Sequence, residues 1–326
     1  MKIAASSDAQ TVAEQRPNRL SQTIQRFAAF SGLIILCIFF SVASPHFLTT
    51  NNLLTVALQT SIIAIVAIGQ TFVIIKAGID LSVGSIVAIS GVVAAQMMSM
   101  DVPIAIAIII GIGIGMVCGF INGVVVAWGK IPPFISTLGM MGIARGAAFV
   151  ITDGIPVSGL PQEFGFIGRA ELFGVIPFPV VIMTIIALVM GFVLKKSRFG
   201  RNVYAIGSNE EAAYLSGIKV NRTKIWVYTV SGMMCGIAGI ILTSRLVSAQ
   251  PSAGTLYELD AIAAVVIGGA SLMGGVGTVL GTIIGAFIMG VLRNGLNLLN
   301  VSPFWQQIAI GAVVILAVYI DNFRKK

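Results

Sequence analysis

The sequence predicts an all-α polytopic membrane protein of about ten transmembrane helices, and three observations carry that prediction. Of 326 residues, 57% are hydrophobic and 10% charged, whereas a soluble domain carries about a quarter charged. The apolar residues gather in runs long enough to cross roughly 30 Å of hydrocarbon, which takes about 20 helical residues. The basic residues fall almost entirely in alternate connections between those runs, the asymmetry that orients membrane helices.

Residues 1–26 are polar, with Arg16, Arg19 and Arg26 ahead of the first apolar run. They read as a short disordered cytoplasmic tail. The apolar core begins too far from the start for a secretory signal, although Val42-Ala43-Ser44 mimics a cleavage site. Residues 27–326 then form one transmembrane domain. Its spans are expected at Phe27–Ala43, Leu53–Ile75, Val83–Met100, Ile104–Ala127, Phe134–Ile151 and Phe178–Leu194, followed by Ile225–Leu246, Leu259–Leu272, Gly277–Leu299 and Phe304–Ile320. Asn294-Gly295 breaks the ninth of these. A Gly- and Pro-rich loop bearing Asp153, Glu163 and Glu171 separates the fifth and sixth. With both termini in the cytoplasm, the interior connections hold Lys76, Lys130, the basic cluster below and Arg324-Lys325-Lys326, while the outer loops hold Arg169 alone. Arg145, Arg245 and Arg293 lie within spans or at their ends.

The one long polar stretch is residues 195–224, with seven basic residues, Lys195, Lys196, Arg198, Arg201, Lys219, Arg222 and Lys224. Its middle reads as a short helix from Ser208 to Gly217. Ser208 or Asn209 caps it, Glu210 and Glu211 occupy the first turn where the helix dipole favours carboxylates, and Gly217 stops it. Such a helix, held just outside the membrane, is either a docking surface for another protein or a solvated loop helix.

Two parts of the chain share a pattern. Gly119-Phe120-Ile121-Asn122-Gly123 is followed by Pro133-Phe134, and Gly290 to Gly295 is followed by Pro303-Phe304. Glycine ridges precede both, Gly111, Gly115, Gly119 and Gly123 against Gly277, Gly281 and Gly285, and Asp80 corresponds to Asp260. One set lies toward the cytoplasm and the other toward the outside, which makes spans 2–5 and 7–10 an inverted repeat of the kind transporters use. Glycine every fourth residue lets backbones approach where lipid supplies no hydrophobic drive.

Few residues offer chemistry. Gly78-Ile79-Asp80-Leu81-Ser82-Val83-Gly84-Ser85 interrupts apolar sequence with glycines, a carboxylate and hydroxyls. Irregular backbone and a carboxylate at membrane depth point to function: Asp80 and Ser82 form either a gate or a cap on the third helix from the cytoplasmic surface. Glu258 and Asp260 open the eighth span, where they cap it, pair with Arg245 and Arg293, or with them face a partner outside. Gln70, Asn122 and Phe134 are candidates to meet a solute or to pack within the bundle. Cys37, Cys118 and Cys235 stand alone in apolar helices, and His46 is the only histidine, so neither a metal site nor a Ser-His-Asp set is expected. The string Gly123 to Lys130 has the wrong spacing for a phosphate-binding loop, with Ile131 where Ser or Thr is needed. The basic residues follow the membrane pattern, and no nucleic-acid partner is implied.

Glu211-Ala212-Ala213 followed after three residues by Gly217, with Gly200-Arg201-Asn202-Val203-Tyr204-Ala205-Ile206-Gly207 before it, resembles the EAA loop of ABC importer permeases. The string from Gly78 to Ser85, Tyr257 to Ala263 and Gly268 to Leu272 resemble the branch that imports ribose and related sugars. The resemblance runs from about Asn51 to Asp321. It implies a type II importer architecture in the bacterial inner membrane, with a pair of permease subunits, most simply a homodimer, around the pathway. It further implies a cytoplasmic ATPase that holds ATP and Mg and an external sugar-binding protein that delivers a monosaccharide. In that family the helix bearing Asn209 to Gly217 fits a groove on the ATPase. The alternative is an ion-coupled secondary transporter of a small polar solute, which would place ionisable relays within its spans rather than at helix ends.

Overall fold

The computed structural model describes residues 19–323. Among the described residues thirteen α-helices run in order: α1 (Arg19–Ala43), α2 (Thr50–Ile75), α3 (Val83–Ser99), α4 (Ile104–Ala127), α5 (Pro133–Thr152), α6 (Phe166–Arg169), α7 (Phe178–Lys196), α8 (Arg198–Ser208), α9 (Glu210–Leu215), α10 (Val220–Leu246), α11 (Tyr257–Ile267), α12 (Val279–Leu298) and α13 (Pro303–Phe323). A two-residue antiparallel strand pair, Glu171–Leu172 with Ile176–Pro177, sits in the loop before α7. The chain is a polytopic helical membrane protein. Among the described residues six helices (α2, α4, α5, α7, α10 and α12) are long and apolar enough to cross a bilayer, and α1, α3 and α13 carry shorter apolar stretches.

The tail expected at residues 1–26 lies outside the described residues up to residue 18, and residues 19–26 are already helical. Asn294 and Gly295 do not break α12, which continues to Leu298. Asn294 instead exchanges two amide hydrogen bonds with Asn52 at the start of α2, at 2.8 and 3.0 Å. Gly295 lies beneath the Phe40 ring of α1.

α2 and α10 form the buried centre. Between Thr60 and Ile75 every residue of α2 is buried. α4 runs antiparallel to α10, with Gly123 beside Ile225, Gly119 beside Tyr228 and Gly115 beside Gly232. A Cβ on either Gly115 or Gly232 would overlap the other's carbonyl oxygen. The ridge read from the sequence is therefore a seam of backbone contact, which dispersion alone can hold. Packing partners recur in two sets. α3 packs on α4, α5 and α10, while α11 packs on α12, α13 and α2. α4 packs on α10 as α12 packs on α2.

α3 and α11 begin deep inside the bundle. α3 lies parallel to α10, with Asp80 just before it bonded to Ser231, Val87 beside Gly239 and Gly91 beside Thr243. Ser231 also flanks Gly69 of α2. The chain that leaves α2 at Ile75 has therefore turned back by about two helical turns before α3 starts. On the opposite side, the chain leaving α10 folds back so that Gly254 meets Gly84, the second residue of α3. A Cβ on Gly84 would overlap the Gly254 carbonyl and lie 2.8 Å from Glu258 Oε2. The two helix N-termini thus face each other inside the bundle.

Replacing Gly232 by Ala should force α4 and α10 apart and destabilise the fold by about 1–3 kcal/mol. Gly113→Ala, whose added methyl meets open space, should not. Thermal unfolding of the two variants in detergent distinguishes a backbone seam from a general intolerance of methyl groups.

Candidate functional site

The polar loop between α7 and α10 holds two helices where one was expected. Ser197 caps α8 by accepting the Gly200 N–H at 3.0 Å. Because Ser208 ends α8, the cap of α9 falls to Asn209, whose Oδ1 accepts the Ala212 N–H at 2.9 Å. Glu210 and Glu211 occupy the first turn as expected. Gly217 stops α9 with φ +81°. Its N–H bonds the Tyr214 carbonyl at 2.9 Å, and the Ile218 N–H reaches Ala213 at 3.1 Å. Glycine takes that left-handed backbone without a Cβ clash.

α9 rests on the rest of the chain through Ala213, buried against Ile206 and Val220. Lys224 of α10 bonds Glu210 at 2.6 Å. Everything else on α9 faces outward, including Glu211, Ala212, Tyr214 at 70% exposure and Leu215 at 78%. Two large apolar side chains held this openly beside two carboxylates make a surface suited to another protein.

α8 carries that surface onto the core. Gly207 sits so close to the end of α2 that a Cβ would overlap the Ile75 carbonyl. The same carbonyl accepts the Gly275 N–H at 2.8 Å. Tyr204 donates to the Gly277 carbonyl at 2.7 Å, and Phe199 stacks on Phe72 with centroids 5.9 Å apart. One seat thus joins α8, the end of α2 and the turn that follows α11.

Asp80 and Ser82 lie at the other functional element, the start of α3, and both are fully buried. Asp80 does not cap α3 from a surface. Its Oδ1 accepts from the Ser82 N–H at 3.0 Å and from the Ser82 hydroxyl, and its Oδ2 accepts from Ser231 at 3.0 Å. Asn122 of α4 donates to Ser82 at 2.9 Å. The structure brings Asp80, Ser82 and Asn122 together, as one knot tying α3 to α4 and α10. Gln70 and Phe134 are not part of it. Gln70 is fully buried in α2 with neither side-chain polar atom partnered, while Phe134 is half exposed on α5. The acids do sit at helix ends, but these ends are internal.

A family described as a branched-chain amino acid transport system / permease component matches residues 52–318. The chain belongs to the ABC importer permeases, on their ribose-type branch. It is 49% identical to the ribose import permease protein RbsC of Haemophilus influenzae, over 90% of this chain and 92% of that one. The Bacillus subtilis ribose import permease protein RbsC is 48% identical over 96% and 97%. The D-allose transport system permease protein AlsC of Escherichia coli is 40% identical over 96% of each. No solved structure matches.

In this permease the second pair of acids divides. Asp260 is fully buried in the first turn of α11 and is held by Arg293 of α12, whose Nη2 donates to both carboxylate oxygens at 2.7 and 2.9 Å. Glu258 lies half buried beside Gly84, and the α11 N-cap is Leu256 in the left-handed region with no side-chain cap. Arg245 lies in the last turn of α10 and its carbonyl accepts from Arg169 at 2.8 Å. Sequence reasoning missed Arg145, which donates from α5 to the Pro251 and Ala253 carbonyls at 2.7 and 2.6 Å and holds the returning chain ahead of α11. It also missed Lys76, buried at 4% exposure, with its ammonium over the Tyr228 ring at 4.5 Å and donating to that hydroxyl at 3.2 Å. An Arg within an apolar helix and a Lys before an unwound stretch were the available signals.

Removing Ser231's hydroxyl with Ser231→Ala deletes one of the bonds to Asp80 and should destabilise the permease by about 1 kcal/mol. Asp80→Ala orphans the Ser82 and Ser231 donors together and should cost at least about twice that. Thermal unfolding of the purified protein measures both. Equal losses would mean that Asp80 does not organise the knot.

Proposed function

We propose that this chain forms the membrane pathway of an ATP-driven importer of a monosaccharide, ribose or a close relative. The observation that carries the reading is 48–49% identity, over nine-tenths or more of each chain, to proteins named as ribose import permeases. Two copies surround the pathway, most simply as a homodimer. A separate ATPase, which binds ATP and Mg, sits against α9 in the cytoplasm, and an external binding protein delivers the sugar.

The ten main helices, α1–α5, α7 and α10–α13, all cross or enter the membrane, with both termini cytoplasmic and a type II importer arrangement. α2–α5 and α10–α13 form the inverted repeat. The matched packing partners support this, as does the way α3 and α11 run in opposite directions from a shared internal meeting point. Broken helices of this kind place solute-facing backbone at the repeat interface.

ATP binding draws the motor subunits together, and α9 moves with them. Motion at α9 reaches α10 through Glu210–Lys224. It reaches α2 and the turn after α11 through the seat at Gly207. Asp80, Ser82 and Asn122 stand at the internal start of α3, against the middle of α10, and serve as the gate. Glu258, Asp260, Arg245 and Arg293 belong to the side that receives the binding protein.

The decisive experiment reconstitutes the chain with its ATPase and binding protein in proteoliposomes. ATP-dependent D-ribose uptake is expected, and ATP-independent uptake that follows an ion gradient would replace this reading with secondary transport. Within that complex, Tyr214→Ala combined with Leu215→Ala should reduce co-purification of the ATPase at least about tenfold, an effect of roughly 1.4 kcal/mol or more. Gly217→Pro should do the same, because proline fixes φ near −65°. Retention of the ATPase by both variants, or labelling of Glu211→Cys from the outer side of intact cells, would remove α9 from the coupling role.

A further inference from the structure

α4 and α10 meet backbone to backbone along their glycine seam, and their outward faces leave a groove of about 1400 Å³ that runs up to α9. Its inner wall is apolar, with Val117 and Phe120 of α4 and Ile225 of α10. Trp128, just past the end of α4, and Trp226, in the second turn of α10, stand nearer the mouth, and both are exposed. Lys219 and Arg222 line the mouth itself. They too are exposed, and neither makes an ion pair among the described residues.

The groove has the depth of one leaflet. From Val117 to Trp128 the α4 axis rises about 16 Å, roughly half of the ~30 Å hydrocarbon core. Along that rise the lining passes from aliphatic and phenyl groups to indoles and then to cations. A phospholipid presents its acyl chains, its glycerol region and its phosphate in the same order. A cytoplasmic protein reaches the mouth but cannot follow the groove into hydrocarbon. A second copy of this chain fits the mouth poorly, because residues 195–224 carry seven basic side chains against two acidic ones, Glu210 and Glu211. Glu210 is already paired with Lys224, so like charges would face Lys219 and Arg222. An anionic lipid matches both ends of the groove at once.

We propose that the groove between α4 and α10 holds an anionic phospholipid, with its phosphate between Lys219 and Arg222 and its acyl chains along Val117, Phe120 and Ile225. Basic pockets beside membrane helices recruit such headgroups through charge attraction, about fivefold per Lys or Arg. Tyr214 and Leu215 of α9 border the same mouth, so a seated headgroup braces α9 against the end of α4. The choice of leaflet follows from the cytoplasmic orientation proposed above, whereas the binding rests on the groove alone.

Tryptophan quenching by brominated lipids tests the site on the full chain in vesicles. The chain has three tryptophans, and Trp305→Phe leaves Trp128 and Trp226 as the reporters. In vesicles of dioleoylphosphatidylcholine, a small fraction of brominated dioleoylphosphatidylglycerol is expected to quench at least about fivefold more than the same fraction of brominated phosphatidylcholine. Lys219→Gln combined with Arg222→Gln should bring that ratio close to one without changing quenching by brominated phosphatidylcholine. Raised salt should lower the ratio in the Trp305→Phe chain, which decides the matter if the double variant fails to fold. Equal quenching by the two lipids overturns the site, as does a ratio that the folded double variant or salt leaves unchanged. Absence of quenching by either lipid also overturns it, since a protein surface would then cover the groove. Relief of quenching by sn-glycerol 3-phosphate would make the mouth a soluble-anion site and likewise overturns the lipid site. Every reading uses the permease without its ATPase or binding protein, so ATP-dependent ribose uptake stands or falls separately.

Discussion

An unwound backbone inside a bilayer has no water to bond, and this constraint governs the whole arrangement. The chain leaves helical geometry within the bundle after α2, after α10 and after α11. In each case its polar groups are met from within the protein. Val73 accepts the Gly78 N–H, Thr137 donates to the Ile79 carbonyl, Asp80 accepts the Ser82 N–H, and Arg145 donates to the Pro251 and Ala253 carbonyls. Thr137 and Arg145 both come from α5, and Asp80 is itself tied to Ser231 of α10, so these helices must then stay where they are. Meeting the bonds of the breaks therefore also fixes how α3, α5 and α10 are assembled.

The same logic explains where side chains with charge or hydroxyls are found. Asp80 and Asp260 are both fully buried and both precede or open a helix that starts inside the bundle. One is matched by hydroxyls and a backbone N–H, the other by Arg293. Their surroundings give them different work. A carboxyl surrounded by neutral donors ties elements together, whereas one paired to a guanidinium responds to whatever else that guanidinium touches.

Much of this was legible in the chain. The bounds of α4, Ile104–Ala127, follow directly from the apolar run between Pro103 and Trp128, and Gly111 to Gly123 announce its close packing. Asn209 and Gly217 carry the chemistry of helix caps, so α9 reads directly. α8 does not, because Gly200 and Gly207 resemble loop residues until the neighbouring backbone they admit is known. Asn294-Gly295 misleads for a related reason. The pair looks like a turn, but Asn52 and Phe40, more than two hundred residues away in the chain, occupy its free groups and space. The depth of Asp80 is likewise a tertiary fact. A sequence gives its distance from the last apolar residue, not the direction in which the following chain turns.

The light anchoring of α9 separates what folding asks of it from what docking asks of it. Ala213 is its one buried residue, while Glu211, Ala212, Tyr214 and Leu215 support nothing inside the bundle. Substitutions at those four positions should leave folding nearly unaffected, so what constrains them is what they touch. Gly207 and Gly217 have no such latitude, one wedged against a carbonyl and the other held at positive φ. Folding thus leaves the outward face of a single six-residue helix to be set by the surface it meets, without rebuilding anything the lipid surrounds.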